Sequence, residues 1–297
     1  MKPPLFAYHR PTQVEEVLDL LATLPGAKLM AGGQSLLPLL NMRLAAPENL
    51  IDLGNVAGLD RLEVVERSGS PALRLGALVT HAQAERDADA AAIQPLLGIA
   101  LRRVAHATVR NRGTVVGSVC HADPAAEMPA VLALLGGEVS VRSTRGERTI
   151  AAADFFVGPM ESALAPDELA CALTLPGLRR GEGVAFDEIA RRHGDYALCG
   201  AGAVIHVDDA SAVEEAKIAL FSVGDTAVVL DLAGPLQRSA DEAALARAAD
   251  HVCAVIEPET DIHATADYRR HLAGVLVKRV LRGAFDHAVG RREGITR

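Results

Sequence analysis

The chain has 297 residues, 49% of them apolar and 23% charged, with a net charge of −8. This length suits two or three domains with sizeable cores, and the composition excludes disorder, collagen-like repeats and a supercharged tail. The acidic balance argues against nucleic acid or an anionic membrane as the main partner, and 3% aromatics with no Trp leaves no stacking platform for single strands. Four cysteines (Cys120, Cys171, Cys199 and Cys253) lie far apart without a C-x-x-C. They read as reduced thiols of a cytoplasmic protein, and no metal site is expected, since their spacing suits neither a zinc ribbon nor a plant-type iron–sulfur cluster. No apolar run approaches the ~20 residues that cross a bilayer, so no integral membrane association is expected. Met1-Lys2-Pro3-Pro4 is not followed by an export segment.

In chain order, Thr12-x-x-Glu15 has a capping-box pattern, and Val14, Val17, Leu18 and Leu21 follow at helical spacing up to Pro25-Gly26. Lys28 to Ala31 reads as a short strand, Gly32-Gly33-Gln34-Ser35 as a loop, and Ser35 as the cap of a helix from Leu36 to Arg43. Leu50 to Leu53 is a second strand. This order lacks both G-x-x-x-x-G-K-[ST] and G-x-G-x-x-G, which disfavours a P-loop ATPase and a Rossmann dinucleotide site. Two readings of Gly32-Gly33 stay open. One is a tight turn between strand and helix. The other is a cradle in which backbone N–H groups converge on an anion such as a pyrophosphate.

Ala72 to Ala77 alternates as a strand, Thr80-His81-Ala82-Gln83 is a further cap, and helical spacing runs from Ala88 to Val104. Asn111 to Ser118 reads as a second loop, with two glycines, two hydroxyls and Arg112. It suits phosphate oxygens, or is an ordinary hairpin turn. A helix from Ala125 to Leu135 follows, with Asp123-Pro124 at its start and Glu127 in a first turn where the macrodipole favours an acid. Glu138 to Arg142 and Glu168 to Leu175 look like strands, and Pro176 to Gly181 like a linker. Strands at Gly183 to Ile189, Ala201 to Val207 and Ala216 to Val223 precede helices at Asp241 to Ile256 and Tyr268 to Ala288, an α+β pattern.

Several of these segments carry a resemblance. Ala31-Gly32-Gly33-Gln34-Ser35-Leu36-Leu37-Pro38 resembles the first FAD loop of the flavoprotein subunits of molybdenum hydroxylases, the xanthine dehydrogenase and carbon monoxide dehydrogenase relatives. Thr114 to Ser118 and His121 to Pro129 are similar to that family's second FAD loop. Arg191 to Leu198 resembles the segment that brings an aromatic to the isoalloxazine, and Asp267 to Ala273 the start of the last helix. The five segments occur in the family's order across essentially the whole chain.

The resemblance implies an FAD-binding domain of the p-cresol methylhydroxylase type in two α/β lobes, about 1–55 and 56–176, and a C-terminal α+β domain, 177–297. It also implies noncovalent FAD. Ala31, Gly32, Gly33, Gln34 and Ser35, with Leu36 next in the motif, would cradle the pyrophosphate, and Lys28 and Leu29 would line its approach. Thr114, Gly117 and Ser118 would hold the diphosphate's other side. Asp123 and Glu127 would accept from ribityl or ribose hydroxyls, beside His121. Leu169 would touch one end of the ring, and Tyr196, the residue assigned a catalytic role, would shield it on the acceptor side.

The chain departs from the family at Phe221-Ser222-Val223-Gly224, where many relatives have Gly-Gly-Val-Gly. It departs again near Asp187, the position closest to a flavin-side lysine of xanthine dehydrogenases; an acid there weakens the inference of NAD as acceptor. The chain has no cysteine set for a cluster and no recognisable molybdopterin site. The resemblance therefore implies a relay in a dimer of heterotrimers. A large subunit with molybdopterin oxidises substrate, and a small subunit with two [2Fe-2S] clusters passes electrons to this FAD. NAD, oxygen, a quinone or a dedicated acceptor receives them. Two rivals are a stand-alone FAD oxidase or dehydrogenase of the same cofactor fold and a non-enzymatic assembly subunit.

Overall fold

The computed structural model describes residues 2–294. The first sheet is small and parallel, with strands Ala7–His9, Asn49–Asp52 and Lys28–Met30 in that spatial order. Parallel neighbours need crossovers, and the helices Val14–Thr23 and Leu36–Asn41 supply them. Asn49–Asp52 is central, so Leu50 and Ile51 are 1% and 0% exposed. The first helix buries Val17, Leu18 and Leu21 as its spacing predicts. Its capping box is displaced: Gln13 occupies the cap without a side-chain bond, and the backbone N–H of Thr12 donates to Glu16 Oε2 at 2.8 Å. Glu15 points instead to Arg142 at 3.2 Å.

A five-stranded antiparallel sheet follows, in the order Leu62–Arg67, Ser70–Gly76, Leu169–Pro176, Glu138–Ser143 and Gly146–Ala151. The return of Leu169–Pro176 to the centre, far from its partners in sequence, makes that strand almost wholly buried. Between Ser70–Gly76 and Glu138–Ser143 the chain forms short helices. Thr80 and Gln83 form the reciprocal capping box that the sequence suggests. The long helix expected over Ala88 to Val104 is two, Ala88–Ile93 and Pro95–Leu101. Pro95 has no N–H and pushes Gln94 out of the helical region, to φ −140° and ψ 79°. The Gln94 amide then donates to Pro176 O at 2.8 Å.

The segment Thr114 to Ser118, read from sequence as a loop, is the start of a helix, Val115–His121, with Thr114 as its cap. Ala122 breaks it in the left-handed region at φ 54°, and the next helix begins at Glu127 rather than Ala125. Asp123 caps the turn between them by accepting from Ala125 N at 2.8 Å.

After the coil 177–181 comes a four-stranded antiparallel sheet, Glu182–Ala190, Ala197–Val207, Val213–Phe221 and Val228–Asp231. One face carries Phe186, Ala197, Ala219 and Phe221 into the core built on the five-stranded sheet and the helix Glu127–Leu135. The other face packs under the helices Glu242–Val255 and Ala266–Arg292. Asp241 and Thr265 cap these helices through Ala244 N and Tyr268 N, at 2.8 and 3.2 Å. Arg269 is 7% exposed and donates to the carbonyls of Leu198 and Ser222 at 2.7 and 2.8 Å and to Asp261 at 2.7 Å. Ser222 N donates in turn to Pro124 O at 2.9 Å, which fixes the turn before Glu127 to the C-terminal sheet. No helix among the described residues is long and apolar enough to cross a membrane.

Candidate cofactor site

Two loops meet backbone to backbone. At Gly32 an added Cβ would lie 2.0 Å from Arg112 O and 2.8 Å from Gly113 Cα, so only glycine permits the approach. Gly33 has φ +70°, the left-handed region. It turns the chain so that Gly33 O accepts from Leu37 N at 3.0 Å while Gln34 Nε2 folds back onto Gly32 O at 3.0 Å. The N–H groups of Gly32, Gly33, Gln34 and Ser35 meet no protein acceptor among the described residues. Ser35 itself lies in the helical region at φ −98° and makes no side-chain cap bond, contrary to the sequence reading; its hydroxyl is left over. Successive free donors of this kind suit an anion.

The second loop is held from behind. Gly113 O accepts from His81 N at 2.9 Å, and Gly113 N donates to Val109 O at 2.7 Å. Thr114 is buried, and its Oγ1 accepts from Gly117 N at 3.1 Å. That bond occupies the Gly117 N–H, so the outward donors here are the hydroxyl protons of Thr114 and half-buried Ser118.

Polar groups gather beside the loops. Burial lowers the His121 pKa; the Asp123 charge raises it and the Lys28 charge lowers it, which places an acid and a base beside one imidazole. Glu127 is 8% exposed, and burial foremost, then the Asp123 charge, push its carboxyl up to about 7. Tyr196 follows the loop Arg191 to Asp195, with 63% of it exposed. Crowding of its hydroxyl, then Asp123 and Glu127, push its ionisation up to about 12. Lys28, His121, Asp123, Glu127 and Tyr196 thus converge from three separate stretches of chain.

Two expectations, on Leu169 and Asp187, are corrected. Leu169 is 1% exposed in the core and offers no surface to a ring. Leu29 is half-buried against the core. Asp187 is not a free acid beside the cleft, for it pairs with Arg103 at 2.8 Å and Arg279 at 2.5 Å. Its neighbour Glu188, which sequence reasoning missed, feels the Glu127 charge; burial, then that charge, push it up to about 8. Cys120 is a desolvated thiol pushed up to about 12, unsuited to attack on a cofactor. No group of three or more His, Cys, Asp or Glu placed for a metal occurs among the described residues.

A row of free N–H donors, hydroxyls opposite them and carboxylates one step further match the order of groups in a dinucleotide: diphosphate, then polyol. The comparisons agree with this chemistry. Residues 4–178 match the family of the FAD binding domain in molybdopterin dehydrogenase, and residues 184–284 the CO dehydrogenase flavoprotein C-terminal domain. The chain belongs to the FAD-binding medium subunits of the molybdenum hydroxylases. It is 41% identical to the nicotine 6-hydroxylase medium subunit of Paenarthrobacter nicotinovorans, over 95% of this chain and 98% of that one. It is 34% identical to the carbon monoxide dehydrogenase medium chain of Hydrogenophaga pseudoflava, over 96% and 99%. Among solved structures, quinoline 2-oxidoreductase from Pseudomonas putida 86 superposes with a TM-score of 0.89 at 38% identity, covering 97% of this chain and 99% of that one. As a medium subunit the chain is part of an oxidoreductase, and in this family molybdopterin and [2Fe-2S] clusters belong to the partner subunits.

Proposed function

We propose that this chain takes electrons from a [2Fe-2S] partner and hands them to an external acceptor, with FAD held noncovalently between its two glycine loops. The observation that carries the reading is the backbone contact of Gly32 with Arg112, flanked on one side by four free N–H donors and on the other by Lys28, His121, Asp123, Glu127 and Tyr196. Bound there, FAD supplies electron acceptance in single steps and release in pairs, which no side chain here provides.

The chain's own part is positioning. Gly32 to Ser35 fix the diphosphate through backbone donors, which matters in a protein whose net charge of −8 repels a dianion. Thr114 and Ser118 close the diphosphate's other side, and Asp123 and Glu127 orient the hydroxyl chain. Exposed Tyr196 covers the ring on the acceptor side. The whole is a medium subunit in a dimer of heterotrimers, working in the cytoplasm. Its four cysteines are free, as a reducing compartment requires. The relatives favour an N-heteroaromatic substrate for the complex: those named for nicotine and quinoline are 41% and 38% identical, against 34% for carbon monoxide dehydrogenase.

The test is to purify the chain alone and with the products of its neighbouring genes, and to record visible spectra before and after substrate. The complex is expected to show flavin and cluster absorption that bleaches with an N-heteroaromatic. A yellow chain that oxidises small substrates by itself overturns the subunit reading in favour of a stand-alone oxidase.

A further inference from the structure

The stretch from Arg103 to Gly113 touches both ends of the cofactor site. At its far end Arg112 O and Gly113 Cα lie against Gly32, where an added Cβ would stand 2.0 and 2.8 Å from them. At its near end Arg103 pairs with Asp187 of the C-terminal sheet at 2.8 Å. Between these points rests the loop that leads to Tyr196. A Cβ added to Gly194 would lie 2.8 Å from both Nδ1 and Cε1 of His106 and 3.0 Å from Ala105 C. Gly194 also has φ +85°, so the close seat and the left-handed turn both call for glycine. From its other side the loop is held by Arg191, which donates to the carbonyls of Ile262 and His263 at 3.3 and 3.2 Å.

The bend beneath Gly194 needs support. Ala105 has φ +42°, a region that alanine avoids. The carbonyls of Val104 and Ala105 both turn to Arg110, whose Nη1 donates to them at 3.0 and 3.1 Å. Arg110 Nε donates to Glu85 Oε2 at 2.9 Å, and the two side chains are 15% and 21% exposed. Glu85 lies on the helix His81–Arg86, whose first residue donates its backbone N–H to Gly113 O at 2.9 Å. Arg110 ends the short helix Ala107–Arg110, and the turn after it brings Arg112 N and Gly113 N onto Val109 O. One guanidinium thus ties the bend under Gly194 to the helix behind the second glycine loop.

We propose that Arg110, braced by Glu85, is a positioning residue that couples the diphosphate cradle to the loop bearing Tyr196, so that filling the cradle orders the cover over the ring. The inference rests on the FAD reading above. The planar fork of arginine meets a carboxylate through one nitrogen and two carbonyls through another, which a lysine ammonium cannot span in the same way. A diphosphate held by Gly32 to Ser35 fixes Gly32 against Arg112. While Arg110 holds Val104 and Ala105, the stretch between cannot relax, and the seat of Gly194 is fixed with it. Without the fork both carbonyls lose their donor, and the bend gives way between the two ends.

ADP tests this, because it carries the diphosphate but no flavin ring for Tyr196 to cover. Amide hydrogen exchange is followed by mass spectrometry on the flavin-depleted complex, with and without saturating ADP. In the wild type, ADP is expected to slow exchange in residues 31–37 and 112–118 and also, by about fivefold or more, in residues 191–198. In Arg110→Lys, which keeps the charge without the fork, slowing at 31–37 persists and slowing at 191–198 is lost. Gly194→Ala, which crowds the seat and leaves Arg110 in place, is expected to lose the slowing at 191–198 in the same way. Slowing at both places in Arg110→Lys overturns the proposal, as does slowing confined to the cradle in the wild type. If ADP slows exchange nowhere, the diphosphate reading of the cradle fails and the coupling with it. The ligand-free proteins then decide the brace alone: exchange at 191–198 in Arg110→Lys as slow as in the wild type refutes it.

Discussion

An alanine at position 32 forces the two loops of the cofactor site apart. Its Cβ falls 2.0 Å from Arg112 O, 2.7 Å from Arg112 C and 2.8 Å from Gly113 Cα. Ordinary contact begins at 3.4 Å, so one backbone must yield by about 1.4 Å. Neither side is a flexible side chain. Arg112 N and Gly113 N both donate to Val109 O, at 3.1 and 2.7 Å, and Gly113 O holds His81 N at 2.9 Å. Backbone crowding of this kind costs ~1–3 kcal/mol of stability. The effect on the cofactor is larger, because a shift of over 1 Å takes N–H donors out of hydrogen-bond range of a phosphate. Charge-assisted bonds contribute ~1.5–3 kcal/mol each. Losing two weakens FAD about a hundredfold or more, at ~1.4 kcal/mol per tenfold.

Gly33→Ala is the control. Its positive φ of +70° costs ~1–2 kcal/mol. Its tightest new contact, however, is the Leu37 side chain at 3.1 Å, which rotates away. The assay is flavin content of the purified complex, with FAD affinity by fluorescence titration and a thermal melt as the check on folding. Gly32→Ala that retains FAD like wild type refutes the reasoning, as does Gly33→Ala proving the more damaging of the two.

Three further outcomes follow from the same structure. Arg269→Ala strands two carbonyls and Asp261 at the seam and is expected to cost ~3–5 kcal/mol in denaturant unfolding; a loss within ~0.5 kcal/mol contradicts the seam's role. Thr114→Val removes the helix cap on Gly117 N and should cost ~1 kcal/mol while lowering FAD affinity, with Thr114→Ser restoring both; a serine that restores neither rules out the hydroxyl. Finally, Glu127 and Glu188 sit above their unfolded value of 4.5 when folded, so the native state binds more protons than the unfolded chain up to about pH 8. Stability of the flavin-free protein therefore falls as pH rises from about 5 to 8, and Glu188→Gln flattens the fall; equal slopes for both proteins contradict the assignment.

Local signals carried much of this from sequence. Gly32-Gly33 after a strand and the Thr80/Gln83 cap depend on residues a few positions apart, and the structure forms them. The strand Leu62–Arg67 escaped notice because half of it is charged and none of it is buried, Val64 being 47% exposed. Gly146–Ala151 escaped likewise, with Ile150 its one buried residue. Pro95 did carry the signal that splits the helix after Ile93. The register around Asp187 and Glu188 is different in kind. Alternation says that the two face opposite ways, but which one lies on the side of Glu127 is set by packing of the C-terminal sheet on the rest of the chain, between residues far apart in sequence. Leu169 shows the converse: an apolar residue at a strand's beginning reads equally as core or as cofactor contact, and the return of its strand to the sheet centre makes it core.

The most direct test of the account is flavin stoichiometry in the wild-type complex beside Gly33→Asp, which puts a carboxylate into the row of free donors. The account predicts one FAD per chain in the wild type and none in a Gly33→Asp complex that still assembles. Unchanged flavin content in that variant would mean that the cofactor, if any, lies elsewhere.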